Sequence, residues 1–234
     1  MALKEKITHW YTTEREKLRP MSPLKRVQYI FTYYKSWMLG FLAAVVLAAL
    51  LGEAALNRTR ETVLQGFMIN DSWMLFPAKV MEQEFGERMQ LTGKQQILFD
   101  DALYIDMGGN ANEYTEASNA RVLATVTTAE LDVIISTEEV KQYYDGNLPM
   151  KDLAQILPPK AQQLLADQMI YTTDDKGETI CTGIDMTASK FIAGIGADTD
   201  PAIKDVYVLF APRNGPHEQA LAEFICYCFD LPCE

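Results

Sequence analysis

Sixteen residues from Trp37 to Gly52 (WMLGFLAAVVLAALLG) carry no charge, and this run constrains the chain more than any other feature. Ala54, Ala55 and Leu56 extend it past a single Glu53. A membrane-crossing helix needs about 20 mostly apolar residues, and Trp37–Leu56 supplies them. Glu53 stands at the far end, within reach of interfacial water. On the near side Lys25, Arg26 and Lys35 come with no acidic residue from Pro20 onward. Basic flanks stay in the cytoplasm. The sequence therefore predicts a single-pass protein of the cell membrane, with a cytoplasmic N-terminus and an extracellular C-terminal domain. The lipid bilayer is the expected partner of Trp37–Leu56. Tyr29, Phe31, Tyr33, Tyr34 and Trp37 fit an interfacial aromatic belt, and Lys35 can reach the headgroups. A cleaved secretory signal is the alternative. Gly52 and Ala54 sit where a signal peptidase reads, but the leader Met1–Ser36 is long for a signal.

Charge is unevenly placed. Met1–Ser36 holds eight basic and three acidic residues, a net +5, so the rest carries −16 of the chain's −11 total. A basic cytoplasmic leader suits anionic headgroups. The acidic remainder argues against nucleic acid as a partner. The chain divides into a leader (1–36), a transmembrane helix (37–56), a tether and domain start (57–66) and an extracytoplasmic domain (67–234). About 180 residues lie outside, enough for one core.

Beyond the tether (Asn57–Glu61), strand and helix patterns alternate. Val63–Ile69, Gln96–Ile105, Leu131–Ser136 and Val206–Ala211 read as strands. Helices are expected after Pro77, with Val80, Met81, Phe85 and Met89 on one face; over Thr115–Ala129, with Ala120, Leu123, Ala124 and Thr127 on one face; after Thr137; over Lys160–Met169; and from Pro216. Ile170–Thr173 and Glu178–Ile184 flank Asp174–Gly177, a hairpin turn. Leu3–Leu18 has the spacing of an amphipathic helix on the inner membrane face. The pattern implies an α/β fold, a mixed, largely parallel sheet covered by helices, preceded by one transmembrane helix.

Catalytic signatures are thin. The sequence has no nucleophile elbow, phosphate loop, dinucleotide fingerprint or HExxH. His217, one of two histidines, reads as a solvated first-turn residue. No cofactor and no metal are expected, and an enzyme is not. Asp71, Asp100, Asp101, Asp106 and Asp132 cluster near predicted strand ends, where α/β sheets bind ligands. Asp71, Asp100, Asp106 and Asp132 are thus the candidate ligand-binding residues, against turn capping as their plainer role. Asp198 and Asp200 lack the ordered spacing of a calcium loop. Cys181, Cys226, Cys228 and Cys233 are disulfide candidates in an oxidising compartment. Cys226 and Cys228 are too close for an easy mutual bridge, and Cys233 can fold back on either. Free buried thiols and a thiolate metal site are the alternatives.

Two stretches resemble bacterial extracellular solute-binding proteins. In Ala120–Leu157 these are Leu131-Asp132-Val133-Ile134-Ile135, the segment Glu138–Tyr144, then Gly146-Asn147-Leu148 leading to Asp152-Leu153. In Val206–Phe229 they are Asn214-Gly215-Pro216, Glu218, Ala220, Phe224 and Ile225. The N-terminal YIFTYYKSWMLG is similar to the start of single-pass membrane proteins of Gram-positive anaerobes. The resemblance implies a binding or accessory domain working with a membrane partner such as a transporter permease. The small-molecule ligand is unknown. A structural or assembly protein with no such ligand is the alternative, and an enzyme using the clustered carboxylates a third.

Overall fold

The computed structural model describes residues 19–108, 112–173, 177–193 and 206–233, with positions 9, 12, 13, 15 and 16 ahead of them. Most of Leu3–Leu18, the turn residues Asp174–Lys176, and Asp198 and Asp200 lie outside the described residues. The chain forms two compact units, Met1–Thr59 and Arg60–Glu234.

The first unit is dominated by α1 (Pro23–Arg58). Pro23 opens it, as a residue lacking an N–H suits a first helical position. Its 36 residues give a rod of about 54 Å. Tyr34–Gly52 is long and apolar enough to cross a membrane, and none of that stretch is buried. Only Thr59 and Arg60 separate α1 from the first strand, so the segment read as a tether is mostly helix end and strand start.

The second unit is α/β. In order it contains β1 (Glu61–Ile69), α2 (Ala78–Arg88), β2 (Gln95–Leu103), α3 (Glu113–Thr127), β3 (Val133–Thr137), α4 (Glu138–Asp145), α5 (Leu153–Ile156), α6 (Pro159–Leu164), β4 (Met169–Thr173), β5 (Thr179–Asp185), β6 (Tyr207–Phe210) and α7 (Glu218–Cys228). One six-stranded sheet has the order β2-β1-β3-β6-β5-β4. The β2-β1-β3 half is parallel, and β6, β5 and β4 add antiparallel pairs. Four strands run one way and two the other, so the sheet is mixed and largely parallel in direction. Its centre is dry on both faces: β3 (VIIST) and β6 (YVLF) are runs of buried, mostly branched or aromatic residues. Gly66 lets β1 lie close to its neighbours, since a Cβ there would stand 2.6 Å from Val133 Cγ1 and 2.9 Å from the Phe99 ring.

Two cores flank the sheet. One joins α2 and α7 through Met81, Phe85, Phe224 and Tyr227; Phe85 meets Phe224 edge-on at 5.2 Å. The other lies under α3 and α4, with Phe67, Val122, Ile134 and Tyr144. The helix faces need two corrections. On α2 the buried residues are Ala78, Met81 and Phe85, while Val80 is exposed. On α3, Thr115, Ser118, Val122, Thr125 and Val126 are buried, and Ala120, Leu123, Ala124 and Thr127 face solvent. Small polar residues here pack inward because Ser118 and Thr115 serve the loop after β2: Tyr104 N donates to Ser118 Oγ and Asp106 N to Thr115 Oγ1. The helix expected over Lys160–Met169 ends at Leu164, and Met169 opens β4.

Candidate functional site

The loops at the carboxyl ends of β1 and β2 are built by side chains bonding backbone. Asn70 takes a left-handed conformation, φ 61°, which Asn tolerates better than most residues. Its amide clamps the second loop, donating to Ile105 O at 2.8 Å and accepting Ile105 N at 2.7 Å. Asp71 is buried and holds the following turn, its two oxygens accepting Leu75 N at 2.9 Å and Phe76 N at 2.7 Å. Burial raises its carboxyl above the ordinary range, those two bonds oppose the rise, and nearby Asp101 adds to it.

Asp100 and Asp101 are adjacent on a strand, so their side chains leave opposite faces. Asp100 pairs with Arg121 of α3, and Arg121 also lies over the Phe67 ring. Asp101 accepts Ala78 N and so caps the start of α2. Asp106 accepts Gly108 N in a tight turn. Asp132 is elsewhere, at the amino end of β3, beside Gln65. The structure thus brings Asp71 and Asp101 near one another and does not gather Asp71, Asp100, Asp106 and Asp132. Each is committed to backbone or to an ion pair.

At the amino end of β3, Asp132 is 1% exposed and makes a junction of three elements. Its Oδ2 accepts Gln65 N from β1 and contacts His217 Nδ1 at 2.9 Å; its Oδ1 accepts His217 N at 3.0 Å. His217, the N-cap of α7, is therefore not simply solvated: its ring is one-third exposed and fixed by a buried carboxylate. Gly215 makes the approach possible, because a Cβ there would meet Leu131 O at 2.8 Å. The buried Lys151 secures the same turn, donating to Gly215 O at 2.9 Å and to Glu218 at 2.7 Å. An oriented histidine is half of a general-base arrangement. Among the described residues no hydroxyl or thiol hydrogen-bonds to it. The sequence signal for this pair was an Asp just before a strand and a Gly-Pro-His just before a helix, 85 residues apart.

The carboxyl ends of β1 and β3 are filled. Phe76 and Tyr207 are fully buried there, with rings 5.3 Å apart, and Phe191 packs on Phe76 at 5.6 Å. Tyr207 OH closes the corner by donating to Asn70 O. Outside this plug Trp73 is 45% and Met74 79% exposed on the loop after β1, and Tyr104, Met107 and Tyr114 are exposed on the loop after β2 and the first turn of α3.

Cys226 and Cys233 form a disulfide, which staples the chain end to α7. Cys181 and Cys228 are free and buried. Burial pushes the Cys181 thiol up to about 11 and raises that of Cys228 as well. Among the described residues no group of three or more His, Cys, Asp or Glu side chains is placed to hold a metal ion. Comparison with family models, curated proteins and solved structures finds no match for the chain.

Proposed function

We propose that this protein is a membrane-tethered accessory domain that works through contact with a membrane protein partner, such as a transporter permease. One observation carries the reading: α1 holds an apolar stretch, Tyr34–Gly52, none of which is buried, and leads within two residues into a self-contained α/β unit. An uncovered apolar rod of this length is tolerated in lipid and not in water. A domain held at a bilayer gains effective concentration toward any partner in that bilayer. The resemblance to solute-binding proteins supports the same setting. The domain lies outside the cell in this reading, where the Cys226–Cys233 bridge persists.

A second reading, an assembly protein with no small-molecule ligand, is favoured by the Phe76–Tyr207–Phe191 plug, which occupies the place where α/β sheets open a ligand crevice. The enzyme reading keeps only Asp71 and Asp101, which lie near one another and are each bonded to backbone N–H groups. The test is recovery of the full-length chain from its own membranes in mild detergent. Stoichiometric co-recovery of a transporter subunit supports the first reading. Recovery of the chain alone, at every detergent strength that keeps it folded, contradicts it.

A further inference from the structure

The carboxyl-edge loops combine three properties that turn capping alone does not require. First, large apolar side chains are exposed on loops that hydrogen bonds tie to one another: Trp73, Met74, Tyr104, Met107 and Tyr114 are between 38% and 79% exposed. Exposed aromatic and methionine side chains on adjoining loops mark contact surfaces more often than isolated ones do.

Second, the loops presenting them are held firmly. Asn70 and Met74 both take left-handed φ values, 61° and 51°, conformations a non-glycine residue keeps only when its surroundings enforce them. The enforcement is visible. Asp71 pins Leu75 and Phe76 from within the loop. Asn70 laces this loop to the next through Ile105. Thr115 and Ser118 tie that second loop to α3, and Tyr114 OH bonds Ala102 O. A preorganised loop loses little entropy when a partner docks.

Third, the edge is acidic. Glu113 and Glu116 are exposed in the first turn of α3, and Asp106 sits on the adjoining loop. They also favour the helix dipole, but none has an ion-pair partner among the described residues. Lys79, at the start of α2, is tied to Glu82.

We infer that the surface formed by the loops after β1 and β2 and the first turn of α3 docks a segment of a partner protein in which apolar side chains are flanked by Lys or Arg. Apolar anchors would cover Trp73 and Met74, and the basic residues would meet Glu113, Glu116 and Asp106. Charge complementarity selects this occupant over a second copy, because the chain beyond Ser36 carries −16. The inference rests on the accessory reading above and names its contact face.

The experiment places a photoreactive phenylalanine analogue at position 73 or 107 of the full-length chain in its own membranes, with positions 164 and 171 as controls. Leu164 and Tyr171 are 54% and 53% exposed and belong to α6 and to β4, the strand at the opposite edge of the sheet. Irradiated adducts are identified by mass spectrometry. The expected result is one membrane protein captured from 73 and 107, through a peptide bearing Lys or Arg beside apolar residues. The double variant Glu113→Lys/Glu116→Lys, with the probe at 73, should lower the yield about tenfold while the chain stays folded, its unfolding temperature lowered only by the few degrees that the lost helix-dipole contacts cost. Capture from 164 or 171 but not from 73 or 107 overturns this inference and leaves the accessory reading standing. Capture of a second copy, or of an acidic segment, also overturns it. No adduct from any position overturns both.

Discussion

Asp132 holds His217 twice, through the backbone N–H at 3.0 Å and the ring Nδ1 at 2.9 Å, and the same carboxylate accepts Gln65 N. One buried side chain thus fixes the start of α7 against β1 and β3. Because α7 is buried along most of its length, the position of a whole core wall depends on this contact.

Asp132→Ala leaves two part-buried backbone donors and a ring nitrogen without their acceptor. The expected loss of stability is about 3 kcal/mol. His217→Ala keeps the backbone bond and should cost about 1 kcal/mol. Chemical denaturation of the full-length chain in detergent measures both. Equal losses would show that the ring, and not the cap, carries the junction.

Asp71 gives a pH dependence with a defined sign. Burial raises its folded-state value above the ordinary 3.8, so the ionised form is the costly one in the fold. Relative to Asp71→Asn, the native chain should gain stability as pH falls from neutral, with the gain complete below 3.8. Unfolding temperatures of the two chains between pH 7 and 4 test this. A difference that is constant, or that shrinks as pH falls, contradicts it.

The four cysteines should react in a set order. Cys181 and Cys228 are buried with raised thiol values, so the folded chain should expose no thiol to an aromatic disulfide reagent at pH 8. Denaturation alone should release two thiols, and denaturation with a reductant four. A reactive thiol in the folded chain would contradict the placement of Cys181 or Cys228.

Phe76 and Trp73 are three residues apart and should differ sharply. Phe76→Ala empties the plug beside Tyr207 and Phe191 and should cost about 4 kcal/mol. Trp73→Ala removes an exposed ring and should cost within about 0.5 kcal/mol. Comparable losses would mean that Trp73 belongs to the core.

The α/β alternation was legible because β3 and β6 are short runs of apolar, mostly branched residues, and such runs between helical patterns leave few other folds. The face of α3 was not. Its inward side is lined by Thr115, Ser118 and Thr125, and a hydrophobic count sends Leu123 inward instead. Thr115 and Ser118 face inward to satisfy the backbone of the second loop, a tertiary demand that no window of sequence contains, while Thr125 bonds back to Arg121 O of its own helix. The aspartates show the same limit. Proximity to strand ends was readable, but the alternation that sends Asp100 to Arg121 and Asp101 to α2 depends on register. The Asp132–His217 pair spans 85 residues and needed the fold.

Tethering requires α1 to stay in the chain and in the bilayer. The deciding measurement is an alkaline carbonate wash of membranes carrying the full-length protein, followed by protease treatment of intact spheroplasts. The chain should remain in the pellet at full length. Protease added outside should remove residues beyond Arg60 and spare an N-terminal tag. Release by the wash, or a mature chain beginning after Gly52, would contradict the tethered reading.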